Sequence, residues 1–282
     1  MWVYERNGSH FQSVYVMIPQ TCERFEISLN TSAGCITTAV DVPTGFVPVT
    51  SILPLMRRLG EEAQALEVTR LAEEGSVPSC RKGCAACCRM LVPLSAPEAF
   101  AVYNWVRSHP AEQQARIIAR FGETKVRLLS QGIWQRLSGL CDASDAPSDD
   151  ALDEINRRYY GLRLACPFLE EEVCTIYDER PAACRELLVT SPADRCEDVI
   201  ANPVDTIPTP LRMSTVLGLL WQDLTRTSTW LIPLPLALDW AENHVGMSER
   251  VWKGAQLFDR ALEKVWRFLS QSFSGNRGAS GS

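Results

Sequence analysis

Histidine is scarce in this chain, and that scarcity limits the chemistry open to it. Only His10, His109 and His244 are present, and none stands near a cysteine group. An imidazole-rich catalytic zinc site is therefore not expected. Long apolar runs are also missing. The strongest lie around Val216–Trp221 and Trp230–Leu238, well short of the roughly 20 residues that cross a bilayer. The formal net charge is −6, so a basic surface for nucleic acid is not expected either. No internal repeat and no glycine-rich nucleotide loop of the G-x-G type is visible. The first twenty residues carry an early acidic residue and no unbroken apolar core, which does not read as a signal peptide. The expectation is a soluble cytoplasmic protein, where thiols stay reduced and disulfides are rare.

Cysteine is what the chain has in quantity. Four fall within nine residues, Cys80, Cys84, Cys87 and Cys88, in CRKGCAACC. Cys166, Cys174, Cys184 and Cys196 form a second group. The spacing is C-x3-C-x2-C-C, a gap of 77 residues, then C-x7-C-x9-C-x11-C. Arg81, Lys82, Gly83 and Arg89 surround the first group, which is no core composition. Metal ligation is the reading that explains both groups. Cys22, Cys35 and Cys141 stand outside the pattern and read as ordinary thiols.

Thiolates are soft donors that favour zinc, iron–sulfur clusters or copper(I). Structural zinc takes knuckles with ligands two to four residues apart. Cys80/Cys84 or Cys84/Cys87 could form one, but gaps of seven, nine and eleven suit a cluster that accepts ligands from several directions. Adjacent Cys87 and Cys88 more easily serve two ions than one. The sequence thus favours iron–sulfur, a [4Fe–4S] cluster first, over zinc. Arg180 and Arg185, on the segment carrying Cys184, are candidates for a cofactor or for hydrogen bonds to sulfur. Cys80-x3-Cys84-x2-Cys87 also matches the three-cysteine motif of radical S-adenosylmethionine enzymes. Ala86 occupies the place of their usual aromatic residue, however, and the chain lacks their strand–helix alternation.

Around the cysteines, local signals predict a mainly α protein with a small β-rich N-terminal element. Strands are expected over Phe11–Ile18, Arg24–Leu29 and Cys35–Val40, with a turn at Asn30–Gly34. A helix with Leu55, Leu59, Ala63 and Leu66 on one side should run from Thr50 or Ser51 to Gly75. Ser95-Ala96-Pro97-Glu98 is a capping box that opens a helix to about Ser108, and another helix follows Pro110. Asp142–Asp150 reads as a polar linker, Ser148 as a helix cap and Gly161 as a stop. Further helices are expected over Asp178–Leu188, from Thr209-Pro210 (with Met213, Val216, Leu217, Leu220 and Leu224 on one side), and from Ser248. Val251, Ala255, Leu262, Val265 and Leu269 form the buried stripe expected of the last. The expected division is a β-rich element over 1–50, one helical cysteine-cluster domain over 51–274 and an unstructured tail over 275–282.

The segments CRKGCAACCRMLVPLSAPEA and CPFLEEEVCTIYDERPAACRE resemble the YkgJ-type cysteine cluster family, the zinc- or iron-chelating CxxxCxxCC proteins. The match rests on the four-cysteine run, the C-P-x-L segment and the C-x-I-Y-x-x-R-P-x-x-C-R segment, together covering Cys80–Cys196. The resemblance implies that all eight cysteines bind metal and that Arg180, Pro181 and Arg185 belong to the motif. Relatives include flagellin lysine N-methylases, so it also implies methyl transfer from S-adenosylmethionine to protein lysines. Three readings stay open at this point: an enzyme with that activity, a structural zinc module acting through a protein partner, and a metal-handling protein. No residue is assigned a catalytic role.

Overall fold

The computed structural model describes residues 21–142, 148–227 and 231–275. Helices dominate them, and the sheets are small two-stranded pieces. The chain enters as an antiparallel hairpin, β1 (Cys22–Thr31) and β2 (Gly34–Pro43), in register from Cys22↔Pro43 to Thr31↔Gly34. These are the second and third expected strands, joined at the expected turn; Phe11–Ile18 lies outside the described residues. Ile27, Leu29, Ile36, Val40 and Val42 turn one face of the hairpin inward.

After β3 (Phe46–Pro48) and a 3-10 turn comes α1 (Leu53–Glu73). Its buried stripe is Leu53, Met56, Leu59 and Ala63, while Leu55 and Leu66 sit half-buried at the edge. The capping-box helix α2 (Ala96–Arg107) follows β4 (Pro93–Leu94), and α3 (Ala111–Ser130) begins after Pro110 as expected. Next are α4 (Trp134–Asp142) and α5 (Asp149–Gly161), with Ser148 Oγ accepting the Ala151 N–H at 3.3 Å.

The second cysteine group occupies irregular chain around a hairpin, β5 (Leu169–Glu170) and β6 (Val173–Cys174), and one short helix, α6 (Ala182–Glu186). A single helix over Asp178–Leu188 does not form. Pro181 disfavours helical backbone at the residue before it, and Arg180 is extended (φ −52°, ψ 143°) between a 3-10 turn and α6.

Beyond the cysteines, α7 (Met213–Thr225) starts three residues later than Thr209-Pro210 suggested. Its start is set from outside, because Glu186 accepts both the N–H and the hydroxyl of Ser214 (3.0 and 2.7 Å). Then come β7 (Ile232–Pro233), α8 (Ala237–Asn243), α9 (Val245–Ser248), β8 (Val251–Lys253) and α10 (Gly254–Gly275). The last helix therefore opens at Gly254, not Ser248. Pairing of β8 with β3 draws Val251 into a strand, where it is exposed. The buried stripe of α10 is Leu257, Phe258, Ala261, Val265 and Leu269; Ala255 faces solvent and Leu262 is half-buried. Residues 276–282 lie outside the described residues.

One continuous apolar cluster links the hairpin, α1, α2, α7, α8 and α10, centred on Phe100 and Trp221, whose rings meet edge-on at 5.5 Å. No described helix is long and apolar enough to cross a membrane.

Candidate metal centre

The two cysteine groups meet. Cys166 N–H donates to the carbonyl of Cys88 at 2.8 Å, so the start of the second group is fastened to the end of the first. At the other end of the first run, Ser79 N–H donates to Val189 O (2.9 Å) and its hydroxyl to Ser191 O (2.5 Å). Those two bonds lock Cys80 beside the chain between Cys184 and Cys196. Within the first run, tight turns do the folding: Cys84 N–H to Arg81 O, Cys88 N–H to Ala85 O and Met90 N–H to Cys87 O, all within 3.0 Å. Gly83 takes φ +89° in the first of these, a conformation that side-chain-bearing residues resist.

The β5–β6 hairpin places Cys174 opposite Leu169. Its two-residue loop holds Glu171 and Glu172 at φ +48° and +60°, the primed turn geometry that glycine or asparagine normally supplies. Arg89, one residue after the cysteine run, grips Glu172 with both terminal nitrogens (3.1 and 2.6 Å), a two-pronged bond that steadies the strained loop. Tyr160 anchors the far end, its hydroxyl donating to Cys196 O (3.2 Å) and accepting Val199 N–H (3.0 Å).

The eight cysteines of the two groups are in no disulfide, and Cys80, Cys88, Cys166, Cys184 and Cys196 each feel the charge of other thiols in the region. Burial pushes Cys166 up to about 12 and Cys196 to about 11. It also raises Cys80, Cys174 and, more strongly, Cys184. Cys87 goes the other way, to about 7, because Cys88 donates a hydrogen bond to its sulfur and Arg180 lies nearby. Cys88 is raised in return. Cys22 and Cys35 are exposed on the N-terminal hairpin and Cys141 is buried in α4.

Of the two arginines singled out in the sequence, only Arg180 bears on the sulfurs. Its charge favours the thiolates of Cys80, Cys87, Cys174 and Cys184. Its guanidinium carbon lies 3.7 Å from the centroid of the Tyr177 ring, and Lys82 faces the same ring. Arg185 instead pairs with Glu61 of α1 and donates to the carbonyls of Arg180 and Asp178. It braces the loop.

Two residues that the sequence did not link to the cysteines belong to the site. Arg120 of α3 pairs with Glu170, favours the Cys166 thiolate, and keeps its Nε and one terminal nitrogen buried without a partner. Glu98, 1% exposed, accepts Ser95 N–H and hydroxyl on one oxygen and Ala182 N–H on the other. The helix-capping residue thus also fixes the helix that carries Cys184.

The donor set suits a thiophilic metal. Its donors are all sulfur, and His109 and His244 bond to Trp105 O and Trp240 O, in the helices that end just before them. Among the described residues, no group of three or more His, Cys, Asp or Glu side chains is arranged to hold an ion as it stands. The thiols share a region, not a common point. Five of the eight (Cys80, Cys84, Cys87, Cys88 and Cys166) lie in turns and loops, while Cys174, Cys184 and Cys196 lie in β6, α6 and a 3-10 turn.

Comparison with known families gives the region a description. Residues 79–200 match the CxxCxxCC family model, described as a "putative zinc- or iron-chelating domain". No curated protein and no solved structure matches the chain.

Proposed function

We propose that the CxxCxxCC domain carried by residues 79–200 of this chain holds an iron–sulfur centre through Cys80, Cys84, Cys87, Cys88, Cys166, Cys174, Cys184 and Cys196. Chelation of zinc or iron is the description of the family; the cluster and its ligand set are our reading. One observation carries it: the backbone bond from Cys166 to Cys88, which joins two thiol groups 77 residues apart. A single tetrahedral zinc uses four ligands. Eight sulfurs in one region exceed that number, and adjacent Cys87 and Cys88 suit a centre of several ions.

When bound, the centre would supply redox or Lewis-acid chemistry. The chain's own residues supply the surroundings. Arg180 and Arg120 offset negative charge on the thiolates, and Arg89 and Tyr160 hold the loops that bear them. Cys87, with its lowered pKa, is the thiol readiest to give up its proton to a metal.

Protein purified without oxygen should be brown and contain iron and sulfide. Colourless protein holding only zinc would replace this reading with a structural zinc module. Cys87→Ser should lose metal and stability together, since ligation energy becomes folding energy, whereas Cys22→Ser should keep both. Methyl transfer from S-adenosylmethionine to protein lysines is the extension suggested by family resemblance. Calorimetric titration with S-adenosylmethionine tests it, and absence of heat would remove it.

A further inference from the structure

Helix α3 has two apolar sides. Ile117, Phe121, Thr124 and Leu128 are buried against the core. Along its solvent side runs a second stripe, Ala115, Ile118, Ala119, Gly122, Val126 and Leu129, at spacings of three and four that keep them on one side. All six are exposed. Ile118, Val126 and Leu129 keep 44%, 64% and 42% of their surface, and a Cβ on Gly122 would meet nothing within 4 Å.

One edge of this stripe carries Glu112, Arg116, Glu123 and Arg127, all exposed. Glu112 and Arg116 pair at 2.9 Å within the helix, a surface bond that is easily exchanged. Glu123 and Arg127 have no ion pair among the described residues, and they border a cavity that reaches Cys166. On the other edge Lys125 is taken by Asp239 of α8, and Gln114 by the carbonyls of Arg107 and His109.

An exposed apolar stripe marks an interaction surface, and the order acid, base, acid, base along its edge selects the occupant. Turned end for end about a two-fold axis between Ala119 and Arg120, that edge is its own complement. Glu112 of one copy comes level with Arg127 of the other, and Arg116 with Glu123. In the same register Val126 falls between the second copy's Ala111 and Ala115, large side chain against small. We infer that this stripe binds a second copy of the chain, α3 against antiparallel α3. A helix of 20 residues, about 30 Å long, makes a smaller contact than the standard interface of about 1,600 Å². The pairing is therefore readily reversible, with a Kd of about 1–100 µM. It does not depend on which metal the cysteines hold.

The test is sedimentation velocity of the metal-containing, full-length protein from about 1 to 500 µM, a range that spans this Kd. The protein should pass from monomer to dimer. Val126→Glu buries an unpaired charge in the contact and should weaken self-association at least about 100-fold, with metal content and the melting temperature of dilute protein unchanged. Arg116→Glu with Arg127→Glu makes the edge wholly acidic, and Glu112→Lys with Glu123→Lys makes it wholly basic. Each double variant should self-associate at least about tenfold more weakly, and an equal mixture of the two should recover the original affinity. Thermal melts establish that each variant is folded. A chain that stays monomeric at about 500 µM overturns the inference, whatever else covers the stripe. Dimers that survive Val126→Glu overturn it as well, because they use another face. So does a mixture of the folded double variants that fails to recover.

Discussion

The carboxylate of Glu98 receives the backbone N–H of Ala182 at 2.7 Å, across 84 residues of chain. A side chain that caps α2 also sets the first turn of the helix bearing Cys184. Among the described residues no cation pairs with this buried carboxylate, and hydrogen bonds satisfy it. Glu98→Ala would leave the N–H groups of Ser95 and Ala182 unpaired. It should cost about 3 kcal/mol in denaturant unfolding and reduce metal content as well. Unchanged metal content in a folded variant would show that α6 is held by other contacts.

Two glycines in helices should respond to alanine with opposite signs. A Cβ on Gly122 meets nothing within 4 Å, so Gly122→Ala should raise stability by about 0.5–1 kcal/mol through helix propensity. A Cβ on Gly254 would lie 1.9 Å from Pro43 O, a backbone atom that cannot step aside. Gly254→Ala should destabilise by more than about 2 kcal/mol despite the better propensity. Thermal melts of the two variants check both, and a neutral Gly254→Ala would mean that α10 does not start against Pro43.

Arg120 tests the environment of the thiols without removing one. Arg120→Met keeps much of the side-chain bulk and removes two buried, unpartnered nitrogens, so the metal-free protein should stay as stable or gain slightly. Metal affinity should fall roughly 10–100-fold, as for other groups that tune ligands from behind. Competition with a chelator reads this out. Equal affinity would leave Arg120 only its ion pair with Glu170.

The metal-free protein should show a stability maximum between pH 7 and 9 from its thiols. Cys87 titrates at about 7 when folded and near its ordinary value of 9.0 when unfolded, so its contribution grows as pH rises between those values. Cys166 and Cys196 are raised from 9.0 to about 12 and about 11, so the folded state keeps protons that the unfolded chain releases. Stability then falls from about pH 9 upward. Urea midpoints across this range check the sign of both limbs. Bound metal should flatten the upper limb, because metal-bound thiolates have already lost their protons.

Much of the fold could be read locally. The β1–β2 turn, the capping box at Ser95, the helix after Pro110 and the Ser148 cap all lie where nearby residues put them. The misreadings came where distant chain intervened. Glu186 sets the start of α7, and β3 recruits Val251–Lys253 into a strand, so the last helix begins at Gly254. Leu257 and Phe258 then replace Val251 and Ala255 on its buried side.

The same boundary runs through the candidate site. Cysteine spacing by itself determined that this is a thiol-rich domain suited to a soft metal, because donor type and count are properties of composition. Which side chains serve that chemistry was decided by tertiary structure. Arg180 and Arg185 look alike in sequence, yet one faces sulfur and the other braces Glu61 of α1. Arg120 and Glu98 join the site from α3 and α2 by contacts that span tens of residues, and no local pattern encodes such contacts.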